Sequence, residues 1–170
     1  MEQEIRVPIS SDKNIVDARQ KSRSVALAVG FSTGGAALEP EIRVPISSDK
    51  DIVDARQKGR SVALAVGFSP GAATLIATAI SELARNIVSY AKSGEIVIQA
   101  LHGSPRLGIQ VIARDQGPGI HDIKQALRDG FSTSGSLGLG LPGVKRLMDE
   151  FQIDSRENRG TTVMVKKWKQ

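Results

Sequence analysis

Residues 109–120 read Ile-Gln-Val-Ile-Ala-Arg-Asp-Gln-Gly-Pro-Gly-Ile. The first half alternates as a strand does, with Ile109, Val111 and Ala113 on one face and Gln110, Ile112 and Arg114 on the other. It breaks at Asp115-Gln116-Gly117-Pro118-Gly119. A carboxylate therefore stands at the end of a strand. Gly117 and Gly119 let backbone approach a ligand that a Cβ would exclude, while Pro118 stiffens the turn between them. An ordinary strand with a tight turn has the same pattern, because Asp-x-Gly-x-Gly is a short motif. Its weight comes from what stands on either side.

Upstream, Thr78 to Ala91 reads as a helix carrying Glu82 and Asn86, whose spacing of four puts both polar groups on one face. Either alone is an ordinary solvated helix residue. As a pair, an uncharged Asn one turn from a carboxylate offers the hard oxygen donor that Mg²⁺ on a phosphate prefers. Downstream, Gly135-Ser136-Leu137-Gly138-Leu139-Gly140-Leu141-Pro142-Gly143 is a glycine-rich loop opening a helix. Free backbone N–H groups and the positive helix end would favour a polyphosphate there. The order is helix with Glu and Asn, Asp-x-Gly-x-Gly, Gly-x-Gly, and then Gly160-Thr161.

The chain has 170 residues, room for one domain with a real core, and is 40% apolar and 24% charged, a globular composition. Aromatics are only 4%, so a core of Ile, Val, Leu and Ala suits an α/β layer sandwich better than an aromatic-rich barrel. No apolar run approaches the ~20 residues of a membrane span, and the N-terminus lacks a basic-then-apolar signal; the expected location is cytoplasmic. There are no cysteines, which excludes disulfides and thiolate metal sites. The net charge of +5 favours acidic partners. Without an arginine-rich helix or an aromatic-basic ladder, however, nucleic acid is not the expected one.

Glu4–Ser32 and Glu41–Ser69 match at an offset of 37, differing only at Asn14 against Asp51 and Ser22 against Gly59. Near-identity in two copies marks a recent or engineered duplication rather than a solenoid. Residues 1–40 are thus expected to be a surplus copy of the first strand and helix, and residues 41–170 the complete domain. Either copy can bury the same apolar face, so composition does not choose between them. Connectivity favours the second, which runs directly into the next helix, and the first is expected to be left either mobile or docked onto another molecule as a swapped element of an oligomer.

Each copy starts with a strand, Ile42, Val44 and Ile46 in the second, where Pro45 points to a sheet edge. A helix follows Ser47-Ser48-Asp49, with Ile52, Val53, Ala55, Val62, Ala63 and Val66 on its apolar side, and stops at Gly67. Ser69-Pro70 starts the next helix, to Ala91. Strands follow at Glu95–Leu101 and Leu107–Asp115, and His102 falls in the turn between them. His121-Asp122 opens a short helix to Gly130. Residues 131–136 have no period and read as a linker or as a lid over phosphates. A helix over 141–151, with Val144, Leu147, Met148 and Phe151 inward, precedes a hairpin of Gln152–Ser155 and Thr161–Trp168.

Glu82-x-x-x-Asn86, Asp115-x-Gly117-x-Gly119, Gly138-x-Gly140 and Gly160-Thr161 together resemble the nucleotide site of the GHKL superfamily of ATPases. Ser-Glu-Leu-Ala-Arg-Asn (81–86), Asp-Gln-Gly-Pro-Gly-Ile (115–120), Asp-Gly-Phe-Ser-Thr-Ser-Gly (129–135) and residues 140–151 further resemble its RsbT-like switch serine kinases of the bacterial stressosome. The resemblance implies a two-layer α+β sandwich of the Bergerat type, a mixed, mostly antiparallel sheet covered by helices on one face. It implies ATP and Mg²⁺ as cofactors. Asp115 would accept the adenine amino group, with Gly117 and Gly119 close to the ring and the Thr161 hydroxyl near the base. Asn86 would bind Mg²⁺, Gly138 and Gly140 would give backbone donors to the phosphates, and Glu82 would be the general base for an acceptor hydroxyl. Many relatives carry a phosphate-binding lysine seven residues after the Asn, where this chain has Ser93, with Lys92 before it. The implied partners are a serine or threonine on a STAS-domain stressosome protein and a PP2C-type phosphatase.

A sensor histidine kinase needs a phosphoacceptor histidine upstream, and residues 1–81 contain none. An ATP-gated anchor that sequesters partners without phosphotransfer is the alternative. It needs Asp115 and Asn86 but has no use for Glu82 as a base.

Overall fold

The computed structural model describes residues 40–103, 105–128 and 139–170. Five strands form one sheet: β1 (Ile42–Ile46), β2 (Gly94–His102), β3 (Leu107–Asp115), β4 (Glu150–Arg156) and β5 (Gly160–Trp168). Their spatial order is β1-β2-β3-β5-β4, and every pairing is antiparallel, so the parallel part of a mixed sheet is absent from the described residues. β1, with Pro45, is an edge strand, as its proline requires.

Alternation sorts the sheet into two faces. Val44, Ile46, Ile96, Ile98, Ile109, Val111, Ala113, Val163, Val165, Phe151 and Ile153 point one way and are buried in a single core with the helices. The helical layer consists of α1 (Asp49–Val66), α2 (Pro70–Asn86), the short α3 (Ile123–Ala126) and α4 (Gly140–Leu147). This is a two-layer α+β sandwich with its helices on one side of an antiparallel sheet.

Helix ends follow their chemistry. Asp51, in the first turn of α1, draws four donors to Oδ2: the backbone N–H groups of Ser47 and Ser48 at 2.8 and 2.9 Å and both serine hydroxyls at 3.1 Å. These bonds, the Ser47 N–H first among them, hold its carboxyl below the ordinary range. Gly67 ends α1 in the left-handed region, φ 102°. Ser69 caps α2 by accepting from the Ala72 N–H, with Pro70 in the first turn.

Three expectations need correction. The helix expected to run to Ala91 is α-helical only to Asn86, and a single π-helical turn, Ile87–Ala91, completes it. The helix expected over 141–151 is shorter, Gly140–Leu147, and Phe151 reaches the core from β4. Its inward side chain fits a strand in this register as well as a helix in that one, and periodicity could not separate the two over so short a run. Val53, counted on the apolar side of α1, is exposed.

The two positions at which the copies differ have defined surroundings in the second copy. Residues 42–66 supply β1 and α1, and both positions lie there. Asp51 closes the helix start. Gly59 is buried where a Cβ would collide with Ile80 Cδ1, with Ile98 Cδ1 also within 3.7 Å. Residues 1–39, which include the first copy, lie outside the described residues.

Candidate functional site

Asp115 ends β3 on the helix-facing side of the sheet and is paired across it in register with Thr161 of β5, which in turn pairs with Ser155 of β4. Its Oδ1 accepts from the Gly117 N–H at 2.9 Å and the Thr161 N–H at 3.2 Å. The carboxylate is thus fixed at the mouth of the Asp-x-Gly-x-Gly turn. Its other oxygen accepts no hydrogen bond among the described residues, as an acceptor for a ligand N–H requires.

Ser155, which sequence reasoning did not single out, buttresses this row. It is 2% exposed. Its Oγ accepts from the Ile120 N–H at 2.8 Å and shares a 2.8 Å hydrogen bond with the Thr161 hydroxyl. The available signal was alternation, since Phe151, Ile153 and Ser155 share the inward face and a hydroxyl there must find partners. The hairpin turn is tied to the same loop, because the Asn158 N–H donates to the Pro118 carbonyl at 2.7 Å.

The glycines at this point also pack against the protein's own backbone and side chains. A Cβ on Gly117 would lie 2.6 Å from Ala91 Cβ, and one on Gly119, at φ 75°, would strike the Arg156 carbonyl. Gly160, at φ 92°, lies directly on the Asp115 carbonyl. Their close approach is to the protein itself. The Gly117 contact has a positional consequence: it brings the Asp115 turn against the π-helical turn that follows Asn86.

On α2, Glu82 is buried, at 7% exposure, rather than solvated. Both of its carboxylate oxygens are engaged. Oε1 accepts from Arg85 Nη1 at 2.7 Å, and Oε2 accepts from the Gly140 N–H at 3.2 Å, across from the start of α4. The second bond spans 58 residues of sequence and brings the glycine-rich loop onto the Glu82 turn. Asn86, half-buried at the last position of α2, makes no side-chain hydrogen bond among the described residues.

No group of three or more His, Cys, Asp or Glu side chains capable of holding a metal occurs among the described residues. A single carboxamide oxygen fits Mg²⁺ only when phosphate oxygens and water complete the shell, which is the usual state of Mg²⁺ on a nucleotide. Gly138 and residues 131–136, the lid candidate, lie outside the described residues. Lys92 is exposed and adopts φ 69°, uncommon for a non-glycine residue. His102 is the last residue of β2 rather than a turn residue, and His121 is exposed, 3.8 Å from Glu157.

A concavity of about 490 Å³ lined by Arg114, Gln116, Asn158, Arg159 and Thr162 lies near the same hairpin. It is not the site just described: Arg114 and Thr162 alternate to the sheet face opposite Asp115 and Thr161. Two of the three lysines in Lys166-Lys167-Trp168-Lys169 are paired. Lys167 pairs with Asp149 at 3.2 Å and Lys166 with Glu150 at 3.5 Å, while Trp168 Nε1 donates to Glu150 at 2.7 Å. Among the described residues, no helix is long and apolar enough to cross a membrane.

Comparison with known proteins bears on the family of the chain. Residues 46–167 match the family model of the histidine kinase-like ATPase domain. The serine/threonine-protein kinase RsbT of Bacillus subtilis (strain 168) is 57% identical over 93 residues, 55% of this chain and 70% of that one. An anti-sigma F factor of Thermoanaerobacter sp. (strain X514) is 33% identical over 99 residues, 55% of this chain and 68% of its own. Among solved structures, a mycobacterial sensor histidine kinase, MprB, aligns at a TM-score of 0.46 and 15% identity, over 75% of this chain and 97% of that one.

Proposed function

We propose a function from one premise: the chain belongs to the histidine kinase-like ATPase family. It is an ATP-dependent serine/threonine protein kinase. It acts in the cytoplasm on a STAS-domain scaffold or antagonist protein of a stress-signalling partner switch and, once released, activates a PP2C-type phosphatase. Kinase activity is supported by the identity to RsbT; the STAS-domain and phosphatase partners follow from the family resemblance of residues 129–135 and 140–151.

The observation that carries phosphotransfer is the 3.2 Å bond from the Gly140 N–H to Glu82 Oε2. It puts a buried carboxylate within reach of a backbone donor of the glycine-rich loop, so a base candidate and a phosphate-binding element share one locus. Bound Mg·ATP would supply the phosphoryl group and the metal charge that offsets its oxygens. Asp115 reads the adenine amino group through its second oxygen, Gly117 and Gly119 shape that turn, and Thr161 fixes the carboxylate from β5. Asn86 offers its carboxamide oxygen to the metal, Gly138 and Gly140 hold the phosphates, and Glu82 takes the acceptor hydroxyl proton.

A second reading, an ATP-gated anchor without phosphotransfer, is favoured by the engagement of both Glu82 oxygens and by the similarity to an anti-sigma factor. One experiment separates them. With Mg²⁺, labelled ATP and a STAS-domain protein bearing an acceptor serine, Glu82→Ala should slow transfer by roughly 10²–10⁴-fold while nucleotide binding stays nearly intact. Asn86→Ala should impair both. Absence of transfer by the unmodified chain, with normal ATP binding, would leave the anchor.

A further inference from the structure

Resting on the reading of Glu82 as the base, we propose that Arg85 is a positioning residue, the group that keeps the Glu82 carboxylate aimed once the glycine-rich loop turns its N–H groups to phosphate. Glu82 has two holders. One is Arg85 Nη1, 2.7 Å from Oε1 and three residues along the same helix, where i and i+3 side chains meet. The other is the Gly140 N–H on Oε2.

The two holders are not equivalent during turnover. Gly140 is the first residue of α4, and Leu139 before it provides no side-chain cap, so its N–H is one of the free donors at a helix start. This is the donor assigned to phosphate, and a phosphate oxygen and Glu82 Oε2 cannot both take it fully. Nucleotide entry therefore releases one Glu82 oxygen, the one then available to an acceptor hydroxyl. Arg85 is left as the remaining holder of a side chain with three rotatable bonds. The side chain of Glu82 is only 9% exposed, whereas that of Arg85 is 41% exposed, so the guanidinium brings the charge to a site that water scarcely reaches from the other side. The contact is one charge-assisted hydrogen bond from Nη1, of a kind that a lysine ammonium can also make.

The test uses the full chain, Mg·ATP and the same STAS-domain acceptor, with Arg85→Ala, Arg85→Lys, Glu82→Ala and the Arg85/Glu82 double alanine. Arg85→Ala should lower kcat about 10–100-fold, the size of effect expected when a reacting group is misplaced by an ångström. Its Kd for Mg·ATP should change by less than about twofold, and Arg85→Lys should restore most of the rate. In the Glu82→Ala background the Arg85 substitution should cost nothing further, because the group it positions is gone. A weaker Mg·ATP Kd with kcat unchanged would make Arg85 a nucleotide ligand and overturn the proposal. So would a kcat loss that persists undiminished in the Glu82→Ala background, whatever the melting temperature does. Full activity in Glu82→Ala removes the base assignment beneath the proposal, and with it the proposal. Loss in Glu82→Ala beside full activity in Arg85→Ala removes the positioning role alone.

Discussion

Replacing Gly59 with Ser should destabilise the domain, and the size of the effect can be worked from the packing around one methyl group. Gly59 is buried in α1, and a Cβ there collides with Ile80 Cδ1 while lying 3.5 Å from Ile80 Cγ1 and 3.7 Å from Ile98 Cδ1. Ile80 and Ile98 are both fully buried, so Ile80 cannot swing into solvent to make room. Forcing extra volume into such a core costs about 1–3 kcal/mol. Serine recovers about 0.5 kcal/mol through its better helix propensity than glycine. Its hydroxyl can turn back to a carbonyl of the preceding turn, so no unsatisfied polar group adds to the loss. The net is a loss of about 0.5–2.5 kcal/mol, which for a domain of this size lowers Tm by roughly 1–10 °C. The first copy offers no escape, since position 22 already carries Ser. Thermal unfolding of the full chain, followed by circular dichroism and compared with the unmodified protein, measures it. An unchanged or raised Tm would show that Ile80 relaxes freely and that the difference between the copies at this position is neutral.

Four other outcomes follow from the geometry. Asp115→Asn should weaken ATP binding by about 1.5–3 kcal/mol, the range for a hydrogen bond to a charged group, as read by calorimetry; equal affinity would sink the adenine assignment. Gly160→Ala must hold a side chain at φ 92° against the Asp115 carbonyl and should lose about 2–4 kcal/mol in a denaturant melt, taking nucleotide binding down with it. Asp51 has a depressed folded-state pKa, so its contribution is present above the unfolded value and fades as pH falls through the folded one. Stability of Asp51→Asn should therefore fall less steeply below about pH 4 than that of the unmodified chain, and parallel pH–stability curves would contradict this. A chain beginning at Glu39 should fold cooperatively, bind ATP and phosphorylate its acceptor; loss of the cooperative melt would mean that residues 1–38 complete the domain.

The fold was legible where period and punctuation agree. Leu107–Asp115 alternates cleanly and is the central strand, and Ser69-Pro70 and Gly67 mark helix ends that the structure shows at those residues. Legibility failed where two periods coincide over a few residues. Val144, Leu147, Met148 and Phe151 satisfy a helical spacing, yet the chain turns from helix to strand between Leu147 and Glu150, and Phe151 is buried from either. The π-helical turn at Ile87–Ala91 left no sequence signal, because widening one turn changes hydrogen bonding without changing the apolar pattern. The pairing that aligns Asp115, Thr161 and Ser155 is a property of register, and register needs both strands.

The site itself divides along a different line, between residues assigned to a ligand and residues that hold those in place. The Glu82 and Asn86 spacing, the strand-end position of Asp115 and the run of glycines are local patterns, and each was readable alone. What the carboxylates are bonded to was not. Glu82 reads as a solvated residue from its helix position, whereas in the fold it is buried and bonded to the Gly140 N–H from 58 residues away. Arg85 was in view as its i+3 neighbour, but that spacing has meaning only once the carboxylate is known to be withdrawn from water, since an exposed pair at the same spacing contributes little. The glycines teach the converse. Their sequence reading was that something comes too close for a Cβ, and the structure shows protein neighbours that do. Gly117 admits Ala91, Gly119 admits Arg156, and Gly160 admits the Asp115 carbonyl. An alanine at any of the three would therefore act first on the protein's own packing. A loss of nucleotide affinity in such a variant identifies a ligand contact only if the melting temperature has not moved with it.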